Sequence, residues 1–325
     1  MARKLKSNRF IVSSNDLAGA MTRLKLEPPQ IPVFAKLPIG IDDVSDKWVK
    51  GRKLIPEIIA VAQSIADPKT VIQWSYIVRD TSSVLESRIL SRSGKAPYIQ
   101  LAPRPNDDWD ITIISSKDEL DNMLASMCSQ NTAFVEPRNV TGDGIKISLK
   151  SLMALSSVAD LDTQQSAKTL LSMSPKMTSN ALTLPIDTQQ ATSLFDECIK
   201  TADMRWSSAL MSAIAGSEFI KSNTAAFVSG GFRDLQKQGL MDEDGFLGPD
   251  CIGLIKLLSR AQYAANLTLL NRSKNESSVQ MVTIMPVEKL CLVLAWMGDE
   301  NPNVTVFALP PTAVQAFVKS LTSLS

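Results

Sequence analysis

The chain has 325 residues with 34 basic and 33 acidic side chains, a formal net charge of +1, and a hydrophobic content of 44%. This is the composition of a folded globular protein, and it excludes wholesale disorder, a collagen-like repeat and a coiled coil. The sequence contains no histidine. It therefore excludes Ser-His-Asp and Cys-His catalysis and every histidine metal ligand.

The sequence carries no evident secretion or membrane signal. The basic opening, MARKLKSNRF, runs into polar residues instead of the apolar stretch of a signal peptide, and no run approaches the ~20 apolar residues of a membrane-spanning helix. The four cysteines, at positions 128, 198, 251 and 291, lack the Cys-x-x-Cys spacing of zinc and redox sites. We expect a cytoplasmic protein, also present in the virion if viral, that is not secreted, contacts no membrane and uses neither metal nor cofactor.

The first 53 residues concentrate positive charge and proline. They hold 11 basic and 5 acidic side chains, and the segment 27–40 (EPPQIPVFAKLPIG) carries four prolines among apolar residues. Because proline lacks the amide proton and restricts its predecessor, neither a helix nor a central strand fits there. We predict a basic arm and a proline-rich strap over 1–53, with Ile31, Val33 and Phe34 as candidate self-association residues.

Residues 54–145 are predicted to form a β-rich α+β domain. A short helix covers 54–66, with Pro56 in its first turn. Four β-branched or aromatic runs follow at 70–79, 84–90, 98–101 and 109–114, separated by turn-forming residues at hairpin spacing. They predict an antiparallel sheet of three to five strands. A capping box, Ser116 with Glu119, then opens a helix that extends to about residue 129.

Residues 146–325 are predicted to form a mainly helical domain. Helices are expected at about 204–216, 217–238, 250–271, 286–297 and 311–322, with short apolar strands at 279–284 and 304–308. The tetrapeptide DTQQ occurs at Asp162 and at Asp187, and each aspartate is a candidate helix cap. The order of elements favours an α+β fold, β-rich and antiparallel first and mainly α-helical afterwards, with extended terminal arms.

No motif predicts an enzyme. The glycine clusters match neither nucleotide-binding pattern, and the segment Asp242 to Gly245 reads as an acidic turn between two helices instead of a calcium loop. Three carboxylates flank Trp109, at Asp107, Asp108 and Asp110, where a solvated turn is the simpler interpretation. We therefore assign no catalytic and no metal-binding residue.

Basic residues are the candidate nucleic-acid interface. Four surround Trp48, and five recur through the predicted sheet, where Tyr76, Tyr98 and Trp109 alternate with them. Arginine donates to phosphate in a planar fork, and aromatic faces stack on bases. In the alternative interpretation, the aromatic residues are core and the arginines pair with acids. The candidate residues are Lys47, Lys50, Arg52, Lys53, Arg79, Arg88, Arg92, Lys95 and Arg104.

The C-terminal segment predicts an amphipathic helix beginning near Pro311. Val314, Phe317, Val318 and Leu321 recur at helical spacing and form one apolar stripe. That stripe is buried either in the core of the same chain or against another subunit.

These features lead to three functional hypotheses. The first is a non-enzymatic, self-assembling structural protein of viral nucleocapsid or coat type, with single-stranded RNA and further copies of itself as partners. The second is a scaffold that binds only proteins. The third is an enzyme that uses carboxylates and lysine.

Overall fold

A computed structural model describes residues 9–27, 43–129, 144–171, 181–215, 224–272, 277–297 and 302–323. The predicted self-association residues Ile31, Val33 and Phe34 lie outside these ranges. The described residues form an α+β fold, built on one ten-stranded antiparallel sheet with helices on both faces. The sequence analysis predicted this fold class.

The strands lie in the order β1-β7-β6-β5-β4-β9-β10-β11-β12-β8, and β2 and β3 pair separately as a small hairpin. At the centre, β4 pairs with β9 from Thr70 opposite Asn271 to Val78 opposite Tyr263. One sheet thus joins residues 54–145 to residues 146–325. The strands are β1 Arg9–Ser13, β2 Val49–Lys50, β3 Lys53–Leu54, β4 Thr70–Val78, β5 Ser83–Ser91, β6 Tyr98–Pro103, β7 Asp108–Ile114, β8 Ile145–Ser148, β9 Tyr263–Arg272, β10 Ser277–Val287, β11 Leu290–Met297 and β12 Asn303–Leu309.

Nine α-helices occur in the described ranges, and none of them is long and apolar enough to cross a membrane. The first face of the sheet is covered by α1 and α2 at one end and by the cluster α4 to α8 at the other. The second face is covered by α3 and α9. The helices are α1 Ser14–Arg23, α2 Pro56–Ala66, α3 Lys117–Ser129, α4 Leu149–Leu171, α5 Thr188–Thr201, α6 Ser207–Ala215, α7 Thr224–Lys237, α8 Pro249–Arg260 and α9 Pro311–Ser323.

The same topology occurs twice along the chain. In the first half, an edge strand, β1, precedes helices, then the four-stranded meander β4 to β7, then α3. In the second half, β8 precedes helices, then the meander β9 to β12, then α9. Each edge strand returns to pair with the last strand of its own meander, β1 with β7 and β8 with β12. The sheet is therefore two similar halves joined at β4 and β9.

Three apolar clusters hold the layers together. The first packs α1 and α2 on strands β4 to β7, and the second packs α4 to α8 on the second meander. The third lies between the sheet and the helices α3 and α9, where Val314, Val318 and Leu321 are buried and Phe317 is half-buried. The Phe317 ring lies 6.1 Å from that of Phe307. The C-terminal stripe thus packs on the sheet of its own chain.

Three segments differ from the sequence-based expectation of helices and arms. Residues 263–272 and 290–297 are the strands β9 and β11, not parts of helices. In β11 residues on both faces are buried, and such a continuous apolar run resembles a buried helix because it lacks alternation. Residues 9–23 form β1 and α1 instead of an arm; Ser13 caps α1 by accepting the Asp16 N–H.

The two DTQQ motifs have different outcomes. Asp187 caps α5, and its Oδ1 accepts the Gln190 N–H at 2.9 Å. Asp162 lies inside α4, which runs on without interruption from Leu149 to Leu171. The cap prediction at Asp162 is therefore wrong, because the buried residues from Leu152 to Leu161 already form the helix that continues through Asp162.

Candidate functional site

Arg79 was a predicted nucleic-acid contact, but the structure places its side chain in the interior. Its Nη1 donates to the carbonyls of Leu258 (2.9 Å) and Ala261 (2.8 Å), and its Nε donates to that of Met204 (3.1 Å). Burial lowers the pKa of Arg79, although nearby aspartates partly offset the effect. Arg79 therefore ties the end of β4 to the chain around α6 and α8 and does not face solvent.

The other predicted cations of the sheet do not share one surface. Arg88 is buried and pairs with Glu86 at 3.4 Å, and burial lowers its pKa. Arg104 is exposed in the turn between β6 and β7, whereas Arg92 and Lys95 are exposed in the turn between β5 and β6, at the opposite end of the strands. Of the five predicted residues, only Arg92 and Lys95 are neighbours at the surface.

The cations around Trp48 stay together on the hairpin of β2 and β3. Lys47, Lys50, Arg52 and Lys53 are all exposed, and the Lys47 Nζ lies 5.1 Å from the centre of the Trp48 ring. Gly51 turns the hairpin with a φ of 66°, which suits glycine because it has no Cβ. The structure thus keeps this predicted cluster at the surface.

A buried carboxylate fixes the same hairpin to α1. Asp16 accepts hydrogen bonds from the Ser45 N–H at 2.8 Å and from the Trp48 Nε1 at 3.1 Å. Burial raises the pKa of Asp16, but the hydrogen bonds from Ser45, Ser13 and Trp48 outweigh it, so the pKa is lowered. The ionised Asp16 therefore links α1, the segment before β2 and the Trp48 side chain.

An apolar surface, which the sequence analysis did not single out, lies on the hairpin of β4 and β5. Leu85 is 59% exposed and Val84 is 46% exposed. Trp74 and Tyr76 are partly buried on the same face as Leu85, with ring centres 6.0 Å apart, and Tyr76 also contacts Tyr263 at 4.7 Å. Val84 lies opposite Ile77 and so is on the other face of the sheet. We call Trp74, Tyr76 and Leu85 the hairpin surface. Its sequence signal is weak, namely two apolar residues directly after the turn Asp80-Thr-Ser-Ser.

The register explains how these side chains meet. Tyr76 lies opposite Leu85 across the strands, and Trp74 lies opposite Ser87. Ser82 anchors the turn, because its Oγ accepts the Met204 N–H at 3.2 Å. The Trp74 Nε1 is buried and has no hydrogen-bond partner among the described residues.

A second concave feature is a cavity of about 270 Å³ between α8 and the edge of the sheet. Leu254, Leu257, Leu292 and Val306 give it an apolar wall, and Asp250 lies at its border. Among the described residues no group of three or more carboxylates and thiols could hold a metal ion. The cavity therefore suits an apolar group.

Three buried thiols and the carboxyl of Asp110 are held in states that do not favour catalysis. Burial raises the pKa of Cys198 to about 12 and those of Cys251 and Cys291 to about 11. The Arg9 guanidinium hydrogen-bonds both oxygens of Asp110, at 3.0 and 2.6 Å, and lowers the pKa of that carboxyl. These thiols do not supply a thiolate near neutral pH, and Asp110 does not supply a proton.

The acidic segment at 242–245 is the turn between α7 and α8, as predicted. The Asp242 Oδ1 accepts the Phe246 N–H at 2.7 Å, and Gly245 has a φ of 91°. A carboxylate that closes its own turn in this way is structural.

Comparisons with known proteins give remote similarities to solved structures. No protein-family model matches the sequence, and no curated protein matches it. The chain is similar to a chain in the structure of the Mycobacterium tuberculosis type VII secretion system chaperone EspG5 in complex with the PE25–PPE41 dimer. The TM-score is 0.44 and the sequence identity is 9%, over 96% of this chain and 94% of that chain.

Proposed function

We propose that this protein acts by binding another protein, and that the hairpin surface is the contact site. The observation that carries the proposal is the exposure of Leu85 next to the partly buried rings of Trp74 and Tyr76. An exposed apolar side chain beside large aromatic rings is typical of protein interaction sites.

The neighbouring strand β9 shows how deeply apolar side chains are buried on the same face of the sheet. On the same face of the sheet, β9 carries Leu267 and Leu269, which are almost completely buried. Leu267 lies directly opposite Trp74. The fold can therefore bury apolar side chains at this face, and the hairpin surface is the part that extends beyond the cover of α3 and α9.

Binding, not catalysis, is also supported by the state of several reactive groups. The lowered pKa of Asp110 opposes acid catalysis by that carboxyl, and the raised pKa values of the three buried thiols oppose nucleophilic attack by cysteine. The self-assembly hypothesis is a special case of the proposal in which the partner is a second copy of this chain.

Site-specific cross-linking tests the proposal in the cells that make the protein. A photoreactive amino acid replaces Leu85 in one sample and Met297 in the other; Met297 is 49% exposed on the same face of the sheet but on β11. We expect a cross-linked second polypeptide from position 85 and much less from position 297. Equal yields at the two positions would refute the hairpin surface as the contact site.

A charged residue at position 85 should prevent the contact that the cross-link detects. Leu85→Asp should abolish the cross-linked complex when the photoreactive group stands at position 76, opposite Leu85 on the same face, whereas Met297→Asp should leave it intact. Both side chains are exposed, so each change should alter the free energy of unfolding by less than about 0.5 kcal/mol. Sedimentation velocity of the purified variants then shows whether the partner is a second copy.

A further inference from the structure

A row of cations lies at the opposite end of the central strands from the hairpin surface. Lys69 directly precedes β4, Arg272 ends β9, and Arg92 directly follows β5. The Lys69 N–H donates to the Ser91 carbonyl at 2.9 Å, and the Arg272 N–H donates to the Lys69 carbonyl at 2.8 Å. The main chain therefore fixes three cationic residues on three adjacent strand ends.

The turn after β5 brings a fourth cation to this row. The Ser91 Oγ donates to the Lys95 carbonyl at 2.7 Å, which folds the turn back over the strand end. Gly94, with a φ of 72°, lies close to the start of β4, since a Cβ on it would be 3.7 Å from the Thr70 Oγ1. We call Lys69, Arg92, Lys95 and Arg272 the strand-end cations.

This arrangement is unfavourable for the fold itself. The bond from Arg272 to Lys69 continues the register of β4 and β9 by one residue, so these two cations stand directly opposite each other. Like charges in opposed cross-strand positions destabilise a sheet. Nothing in the packing of the sheet requires cations there, because all four residues are exposed.

The strand-end cations also lack the ion pairs that other surface cations form. Within the described ranges, Arg9, Arg205 and Lys200 each contact a carboxylate at 2.6 Å. No ion pair of Lys69, Arg92, Lys95 or Arg272 occurs among the same residues. Their charges are thus available to an external anion.

We infer that the strand-end cations bind the phosphate groups of single-stranded RNA, a function separate from the proposed protein contact. Adjacent strands are spaced by about 4.8 Å, so the cations of three strand ends form a line instead of a compact cup. A line of cations suits the charged backbone of an extended chain better than one small anion. Arginine and lysine contacts of this kind supply affinity without sequence preference.

The cations of the β2–β3 hairpin are a separate cluster and serve as the control. They precede α2, whereas Lys69 follows it, and the 11 residues of α2 span about 16 Å. Both clusters contain four exposed cations; exposed Asp43 and Asp46 stand before the hairpin cluster, and exposed Asp67 stands before Lys69. The two therefore differ in position at equal positive charge.

Two triple variants with the same charge change test the inference. One replaces Lys69, Arg92 and Arg272 with Gln, and the other replaces Lys50, Arg52 and Lys53 with Gln. Binding of a short fluorescein-labelled oligouridylate is measured by anisotropy over a salt series. The first variant should lower the slope of log affinity against log salt by about two units, at about 0.7 per phosphate contact, and the second should leave it unchanged.

Several results would overturn the inference. These are the absence of oligouridylate binding by the unaltered protein, equal losses in both variants, or a loss only in the hairpin variant. Binding to vesicles that contain phosphatidylserine, dependent on the strand-end cations and without oligouridylate binding, would assign the site to a membrane surface instead. Far-UV circular dichroism shows whether each variant is folded. If the triple variant is unfolded, the single variant Arg272→Gln replaces it and should lower the slope by about one third as much.

Discussion

The two halves of the molecule share one topology but differ in how their sheets are covered. On the first face, the first meander is covered by α1 and α2, whereas the second is covered by the five helices α4 to α8. In the second half β11 is buried on both faces, whereas in the first half the tip of the β4–β5 hairpin is exposed to solvent. The additional helices account for the extra length of the second half.

The first half carries both candidate binding surfaces, whereas the second half supports it. The hairpin surface and the strand-end cations both lie mainly on β4 and β5, at the two ends of the same strands. Arg79 connects the end of β4 to the carbonyls of the helical cluster of the second half. We therefore interpret the second half as a rigid support that holds the central strands of the first half in place.

The largest expected effect tests whether the halves are energetically independent. Phe195 of α5 is completely buried in the helical cluster, and Phe195→Ala should lower the free energy of unfolding by about 3–5 kcal/mol. Because β4 and β9 share nine paired positions, the first half should unfold in the same transition. Urea unfolding monitored by hydrogen exchange checks this in both halves.

Leu90→Ala, in the cluster under α1 and α2, is the matched change in the first half. It should lower the same single transition by about 2–5 kcal/mol. Two transitions, with each variant shifting only the one that belongs to its own half, would contradict the idea of a common folding unit.

A smaller effect tests the close packing that is peculiar to the second half. Gly231 of α7 faces α4, where a Cβ would overlap the Lys150 carbonyl and come within 3.0 Å of the Ala154 Cβ. Gly231→Ala should therefore lower the free energy of unfolding by about 1–3 kcal/mol. Chemical denaturation of the purified variant measures this change.

The neighbouring glycine is the control for that experiment. At Gly230 a Cβ would be 3.6 Å from the Lys150 Cδ, an ordinary contact. Gly230→Ala should thus stabilise the helix by roughly 0.5–1 kcal/mol, because alanine loses less conformational entropy than glycine on folding. If both changes destabilise equally, helix α7 does not pack on α4 at Gly231.

The first meander was predictable from the sequence because its strands are short, bounded and partly alternating. The expected runs 70–79, 84–90, 98–101 and 109–114 match β4 to β7 within two residues at each end. Turn-forming residues between the strands set these limits. In the second meander the sequence predicts strands at 279–284 and 304–308, inside β10 and β12, but it predicts helix for β9 and β11. In β11 burial on both faces removes the alternation that marks a strand.

The candidate surfaces were less predictable than the fold. Arg79 and Arg92 are both arginines at the end of a predicted strand, yet the first is buried under five carbonyl contacts and the second is exposed. The difference depends on α6 and α8, more than 120 residues further along the chain. The residues around Arg79 in the sequence do not predict that contact. They do not predict the repeated topology of the two halves either.

The smallest expected effect is a pH dependence that belongs to the first half. The pKa of Asp16 is lowered below its ordinary value of 3.8, so its contribution to stability is present above that value and is lost as the pH falls through the lower folded pKa. Asp16→Asn should therefore cost about 1 kcal/mol at neutral pH and progressively less in acid.

Asp46→Asn, at an exposed carboxylate of the same segment, is the control. Urea midpoints of the three proteins, measured at neutral pH and below 3.8, distinguish the cases. If the loss of unfolding free energy in Asp16→Asn stays constant with pH, the hydrogen bonds from Ser45 and Trp48 do not depend on the charge of Asp16. The link between α1 and the β2–β3 hairpin is then not sensitive to acid.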